Sequence, residues 1–245
     1  MTKLMQKLVY GRAFLALSVI LCFVFICLIG SGCNKNTRSN QAATTEARDI
    51  TLLVYVDRSE SIMSYPGGLD AIRNDYKSIA QGFLKPILQR RDGVIVEARA
   101  FVCEDVILFD KKVDKWEQIR KSINDEIDKD PYPAGEVSKT LFSNLLVRLQ
   151  KECKQRSSQD VYVLVLTDGH PDEPFKAISD AAKELAKDDT GNLKALVVAP
   201  VAADMKRRWR ENLIEALSPI SCSTVANAED FRTAVDNATK TLEGE

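Results

Sequence analysis

The sequence has few residues that bind soft metals and almost no net charge. Its 245 residues include one histidine and six cysteines, and no two cysteines form a C-x-x-C motif. Neither a zinc site nor a thioredoxin-like redox motif is therefore expected. The formal net charge is -1. The chain thus lacks the excess of basic residues that nucleic-acid binding requires, and we expect no nucleic-acid partner.

A long uncharged segment lies near the N-terminus. Three basic residues among the first 12 are followed by the uncharged residues 13–30, and small residues precede Cys33. This arrangement resembles a bacterial lipoprotein signal, in which Cys33 carries the lipid and becomes the new N-terminus. The alternative is an uncleaved N-terminal membrane anchor, because about 18 to 20 apolar residues can span a bilayer as a helix. In both cases the basic end stays in the cytoplasm, so we expect the rest of the chain to be extracytoplasmic. Residues 1–33 are thus either a lipoprotein signal, which leaves the chain anchored by the lipid on Cys33, or an uncleaved N-terminal membrane anchor.

Residues 34–49 contain no large apolar side chain. They cannot bury enough apolar surface to offset the entropy lost on ordering, so we expect a flexible tether. No internal repeat or second boundary follows, and residues 50–245 are expected to form one domain. Cys103, Cys153 and Cys222 fall in this part. We expect three buried thiols there, and the alternative is one disulfide with a spare thiol.

Apolar runs alternate with amphipathic segments from residue 50 onward. Runs such as 50–56 and 161–166 are continuously apolar, as in strands of a parallel sheet that are buried on both faces. We expect Pro86 to kink or end the helix that follows the first strand. Three residues separate the runs 94–102 and 106–109, which requires an antiparallel hairpin, because a parallel crossover needs a dozen or more residues. The pattern predicts an α/β fold with a doubly wound, mostly parallel central sheet, one antiparallel edge hairpin strand and helices on both faces.

Oxygen-bearing side chains follow two of these apolar runs. Asp57, Ser59 and Ser61 come directly after the first run, and Thr167-Asp168-Gly169 follows residues 161–166. The carboxyl ends of parallel strands form the ligand site in such sheets, so we expect Asp57 and Asp168 to face one another. Two close carboxylates repel unless a positive charge lies between them. Because carboxylates and hydroxyls are hard ligands, the sequence predicts Mg²⁺, or Mn²⁺ or Ca²⁺, at this place.

A threonine, Thr140, also stands ahead of an amphipathic helix. D-x-S-x-S after one apolar strand, this threonine, and T-D-G after a second strand together resemble the metal-ion-dependent adhesion site of von Willebrand factor A domains. The resemblance extends over residues 50–245. It implies that the metal is contacted by hydroxyls and, directly or through water, by carboxylates, the implied ligands being Asp57, Ser59, Ser61, Thr140 and Asp168. It also implies an open coordination position that a Glu or Asp of a partner protein fills.

The resemblance therefore implies a metal-dependent protein-binding module and not an enzyme. The chain departs from the family pattern at Glu60, where many members carry glycine, and before Thr140, where Ser138 is the alternative ligand. Two other interpretations remain open. One is a Mg²⁺-dependent phosphohydrolase similar to the haloacid dehalogenase superfamily, which has a second aspartate where this chain has Ser59. The other is a metal-free structural lipoprotein. For the lone His170 we expect a solvated or supporting role, since a base and nucleophile pair is not apparent.

Overall fold

A computed structural model describes most of the chain beyond the N-terminal segment. The described residues are 49–90, 94–100, 107–112, 116–132, 139–188, 191–201, 207–227 and 230–240. All of them fall within one compact unit, Ala47–Glu245. The predicted lipoprotein signal with Cys33, the alternative anchor and nearly all of the predicted tether lie outside the described residues. Within the described ranges, no helix has the length and apolar character needed to cross a membrane.

One six-stranded sheet forms the centre of the described part. Its strands are β1 (Ile50–Val56), β2 (Ile95–Ala100), β3 (Ile107–Lys112), β4 (Asp160–Leu166), β5 (Leu193–Ala199) and β6 (Ser223–Val225). Their order is β3-β2-β1-β4-β5-β6. Neighbouring strands are parallel except at the edge, where β3 pairs antiparallel with β2. The predicted mostly parallel sheet with one antiparallel edge strand is confirmed.

Helices cover both faces of this sheet. They are α1 (Gly68–Arg90), α2 (Trp116–Ile127), α3 (Phe142–Gln155), α4 (Phe175–Lys187), α5 (Arg207–Leu217) and α6 (Phe231–Lys240), and a short 3-10 helix spans Glu60–Ser64. Successive residues of β1 point to opposite faces. Leu52 and Val54 therefore join a buried cluster with α1, α2 and α6, whereas Leu53 and Tyr55 join a cluster with α3, α4 and α5. The core thus has two layers, one on each side of the sheet.

We expected Pro86 to kink or end α1. The helix continues past it to Arg90, so the helix end is excluded and the kink stays a prediction. A proline inside a helix costs about 3 kcal/mol. Phe83, Leu84 and Ile87 on either side of it are completely buried, and burial of each such side chain contributes roughly 1.5 to 3 kcal/mol. Packing against the sheet therefore outweighs the local effect of the proline.

Two of the three cysteines expected in the domain belong to the described residues. Cys153 is buried and Cys222 is half-buried. Cys103 lies outside the described residues. The expected burial is therefore met at Cys153 and met in part at Cys222.

Candidate metal centre

The two central strands bring the carboxylates of the sequence motifs to the same edge of the sheet. β1 and β4 are parallel neighbours, and their last paired residues are Val56 and Leu166. Asp57 therefore leaves the sheet beside the T-D-G segment, and its backbone N–H donates to the carbonyl oxygen of Leu166 at 2.8 Å. Asp57 is 0% exposed and Asp168 is 1% exposed. Both carboxylates are thus enclosed at the carboxyl ends of adjacent strands.

Hydroxyl groups surround the carboxylate of Asp57. The Thr167 hydroxyl donates to Oδ2 of Asp57 at 2.7 Å, and the Thr140 hydroxyl donates to the same oxygen at 3.3 Å. The backbone N–H of Ser59 donates to the other oxygen, Oδ1, at 2.8 Å. The Ser59 and Ser61 hydroxyl oxygens lie 2.9 Å apart. A continuous chain of hydrogen-bonded residues therefore runs from Ser61 through Ser59 and Asp57 to Thr140.

Asp168 belongs to the same electrostatic environment. Burial, and after it the negative charge of Asp168, raises the pKa of Asp57 from 3.8 to about 6, although hydrogen bonds from Thr167 and Ser59 act in the opposite direction. Asp168 itself accepts a hydrogen bond from the backbone N–H of His170 at 3.1 Å and lies 3.2 Å from Nδ1 of its ring. The structure thus brings Asp57, Ser59, Ser61, Thr140 and Asp168 together. The alternative ligand Ser138 lies outside the described residues.

The chemistry of these donors fits a hard divalent cation. Burial first, and the negative charge of Asp168 second, raise the pKa of Asp57, and a positive charge between the two carboxylates would offset both effects. The remaining donors are neutral hydroxyl oxygens, which suit Mg²⁺, Mn²⁺ or Ca²⁺. Among the described residues, no group of three or more His, Cys, Asp or Glu is placed to hold a metal ion. The donor set that the fold assembles is therefore two carboxylates with hydroxyls.

Arg58, the second residue of the D-x-S-x-S motif, attaches this motif to the connection between α2 and α3. Its Nε and Nη2 donate to the carbonyl oxygen of Asp130 at 3.0 and 2.6 Å, and its Nη1 lies 3.4 Å from Oε1 of Glu126. The guanidinium carbon lies 4.4 Å from the ring centre of Tyr132, whose backbone N–H donates to the carbonyl oxygen of Arg58 at 2.8 Å. Sequence reasoning missed this role, because the residue between Asp57 and Ser59 has no fixed identity in the motif.

Two large apolar side chains, Trp209 and Met63, are exposed close to His170 or to Ser61. Trp209 is 38% exposed, and its ring centre lies 6.1 Å from that of His170 and 5.7 Å from that of Phe175. Met63, two residues after Ser61, is 60% exposed. His170 therefore links Asp168 to an aromatic cluster that is open to solvent on one side, and a supporting role fits its contacts.

Comparisons with known proteins find similarity at the level of structure. No model of a known protein family matches the chain, and no curated protein matches it. The pilus adhesin SpaC from Lactobacillus rhamnosus GG is similar with a TM-score of 0.55 and 15% identity, over 80% of this chain and 31% of the adhesin. The PilB minor pilin from Streptococcus sanguinis has a TM-score of 0.51 and 12% identity, over 81% of this chain and 62% of the pilin.

BatB from Bacteroides thetaiotaomicron, a conserved hypothetical protein, has a TM-score of 0.53 and 12% identity, over 80% of this chain and 100% of BatB. The chain thus spans 31% of the length of the adhesin and the whole length of BatB. At these identities the similarity concerns the fold. Together with the strand order, it shows that the described part of the chain has the fold of a von Willebrand factor A-like domain.

Proposed function

We propose that this chain is a protein-binding module that depends on a divalent cation, Mg²⁺ or else Mn²⁺ or Ca²⁺. A carboxylate of a partner protein would complete the coordination of the cation. The observation that carries this proposal is the contact network at the carboxyl ends of β1 and β4, where Asp57 accepts a hydrogen bond from Thr140 beside the Ser59 and Ser61 hydroxyl pair. The buried Asp168 lies close enough to raise the pKa of Asp57.

The charge of the donor set supports a carboxylate as the incoming ligand. Ser59, Ser61 and Thr140 offer neutral oxygens, while Asp57 and Asp168 bind directly or through water. Neutral ligands leave much of the positive charge of a divalent cation uncompensated. A cation in this place would therefore attract a glutamate or aspartate of another protein.

The surroundings of the site support a protein as the partner. Aromatic residues and methionine are enriched at the centres of protein interfaces. Trp209 is exposed beside the ring of His170, and Met63 is exposed two residues after Ser61. The similar structures include a pilus adhesin and a minor pilin. This likeness supports an adhesion-type module, and with the lipid on Cys33 or an N-terminal helix it would act while tethered to the outer side of a membrane.

The test is calorimetric titration of the detergent-solubilised full chain with Mg²⁺ and Mn²⁺. We expect Asp57→Ala to remove saturable cation binding, because it deletes the carboxylate that contacts Thr140, Thr167 and Ser59. Asp180→Ala is the matched control, since this carboxylate of α4 is exposed and paired with Lys183. Equal cation affinity in wild type and Asp57→Ala would overturn the proposal.

A second experiment captures partner proteins on the immobilised full chain. Proteins that bind the immobilised full chain in Mg²⁺ should be released by EDTA and should not bind Asp57→Ala. The same preparations are assayed for Mg²⁺-dependent hydrolysis of a generic phosphate ester. Turnover that disappears in Asp57→Ala would favour the phosphohydrolase interpretation over a binding module.

A further inference from the structure

Two carboxylates tie the connection between β4 and α4 to the start of α3. Oδ2 of Asp172 accepts a hydrogen bond from the backbone N–H of Thr140 at 2.6 Å, and the backbone N–H of Asp172 donates to the carbonyl oxygen of Thr140 at 3.0 Å. Oε1 of Glu173 accepts from the backbone N–H of Ser143 at 2.7 Å, and the Ser143 hydroxyl donates to Oε2 of Glu173. We call these four hydrogen bonds the Asp172–Glu173 clasp.

The clasp supplies a helix cap that the local sequence lacks. The residue before α3 is Leu141, which makes no side-chain capping hydrogen bond. The first N–H groups of a helix have no partner within the helix, and a carboxylate is a favourable acceptor for them. Glu173 provides this acceptor from a segment 30 residues away. The start of α3, and Thr140 just before it, therefore depend on a distant part of the chain for their position.

The same connection carries one of the candidate ligands. Asp168 lies four residues before Asp172, and the segment between them turns at Gly169, whose φ is 82°. The backbone N–H of Gly169 donates to the Thr167 hydroxyl at 3.0 Å. The clasp therefore joins the segment that holds Asp168 to the segment that holds Thr140, two residues that must reach one ion.

The connection between α2 and α3, which leads to Thr140, is also attached near its beginning. Arg58 donates two hydrogen bonds to the carbonyl oxygen of Asp130, 72 positions along the chain. The chain that leads to Thr140 is thus attached near Asp130 to Arg58 of the D-x-S-x-S motif, and at Thr140 itself to Asp172 in the segment that follows T-D-G.

We propose that Asp172 and Glu173 are positioning residues that set the Thr140 hydroxyl relative to Asp57 and Asp168, and thereby set the affinity for the cation. They do so through the backbone and not by contacting the ion. This inference rests on the proposed function, because it concerns the ligands of the same site.

Substitutions at Asp172 separate position from charge. Asp172→Asn keeps a carbonyl oxygen for the Thr140 N–H but removes the negative charge, whereas Asp172→Glu keeps the charge but displaces the acceptor by one methylene. A positioning role predicts that Asp172→Asn retains wild-type Mg²⁺ affinity within a few fold and that Asp172→Glu loses about tenfold or more, the usual size of such supporting effects. A role of the charge alone predicts the reverse order, and that result would overturn the proposal.

Glu173 is tested in the same way on the full chain. Glu173→Ala should weaken Mg²⁺ binding by roughly 10-fold to 100-fold, whereas Glu173→Gln, which retains an acceptor, should stay near wild type. Glu184→Ala is the matched control, because this carboxylate of α4 is exposed and paired with Lys187. Should Glu173→Ala fail to fold, Glu173→Asp takes its place with the same expected loss.

A second measurement needs no cation. Amide hydrogen exchange in the metal-free chain should be faster at Thr140 and Ser143 in Asp172→Glu and Glu173→Ala than in wild type. A wild-type chain that binds no Mg²⁺ would overturn the proposed function and the role of the clasp with it. If the wild-type chain binds Mg²⁺ and the clasp variants show the same Mg²⁺ affinity and the same amide exchange, the positioning role of the clasp is overturned and the proposed function is not.

Discussion

At the residue scale, the buried carboxylate of Asp57 is in an environment that disfavours its charged form. Its side chain is completely buried and faces the negative charge of Asp168, and its pKa rises to about 6. The folded protein therefore binds this proton more tightly than the unfolded chain does. In the proposed function, a cation between the two carboxylates would lower this pKa again.

The raised pKa gives the metal-free protein a defined dependence on pH. Between the ordinary value of 3.8 and about 6, the folded state holds more protons than the unfolded state, so the free energy of unfolding falls as pH rises through this range. The shift corresponds to a loss of about 3 kcal/mol that is complete above pH 6 or so. Urea denaturation of wild type and Asp57→Asn across this range measures it. A difference between the two that does not change with pH would contradict the prediction.

The individual residues of the site differed in how well the sequence could predict them. Asp57, Ser59, Ser61 and Asp168 follow continuously apolar strands, and a motif of fixed spacing marks them. Arg58, Asp172 and Glu173 act through backbone atoms that are 72, 32 and 30 positions away. Such contacts depend on how two connections meet in space, and neither periodicity nor local spacing records that.

The end of α3 shows how elements are fixed at the side of the fold remote from the candidate site. Asn192 donates from Nδ2 to the carbonyl oxygens of Cys153 and Arg156, both at 3.0 Å. Arg156 in turn forms an ion pair with Glu97, which lies on β2 and is completely buried. These contacts join the end of α3 to the sheet.

Removing the guanidinium of Arg156 deletes an ion-pair partner of the buried carboxylate of Glu97. Breaking a buried ion pair on one side typically costs 3 to 5 kcal/mol, and we expect Arg156→Ala to lower the free energy of unfolding by about 3 kcal/mol. Chemical denaturation measures this loss, with Arg120→Ala as control because its pair with Glu117 is exposed. Mg²⁺ affinity should be unchanged at temperatures where the variant is folded, and a large loss of affinity would contradict the separation of the two regions.

At the element scale, the strands agreed with the sequence prediction better than the helix α1 did. The bounds of β1 agree with the apolar run 50–56, β4 begins one residue before the run 161–166, and the short connection between β2 and β3 predicted their antiparallel pairing. Of the two effects expected at Pro86, a kink or a helix end, the helix end does not occur, because the rule for proline is local while the packing of Phe83 and Ile87 against the sheet is not. Helix bounds of this kind are set by tertiary contacts.

At the scale of the whole molecule, a cation that binds the folded state and not the unfolded chain should raise overall stability. At a free concentration of about 100 times Kd, the gain is about 2.7 kcal/mol. We expect Mg²⁺ to raise the melting temperature of the wild-type full chain and to leave Asp168→Ala unaffected. Equal shifts in both proteins, or the same shift with Na⁺ at matched ionic strength, would contradict specific binding at this site.

The candidate ligands are divided between the two layers of the core. Ser61 belongs to the 3-10 helix whose Ile62 packs with α1, whereas Thr140 precedes α3, whose Phe142 packs in the cluster on the opposite face. An ion shared by both would bridge the two layers beyond the rim of the sheet. Coordination of that ion by a partner carboxylate would then couple the helices on one face of the sheet to those on the other, so that the two helical layers would move less independently.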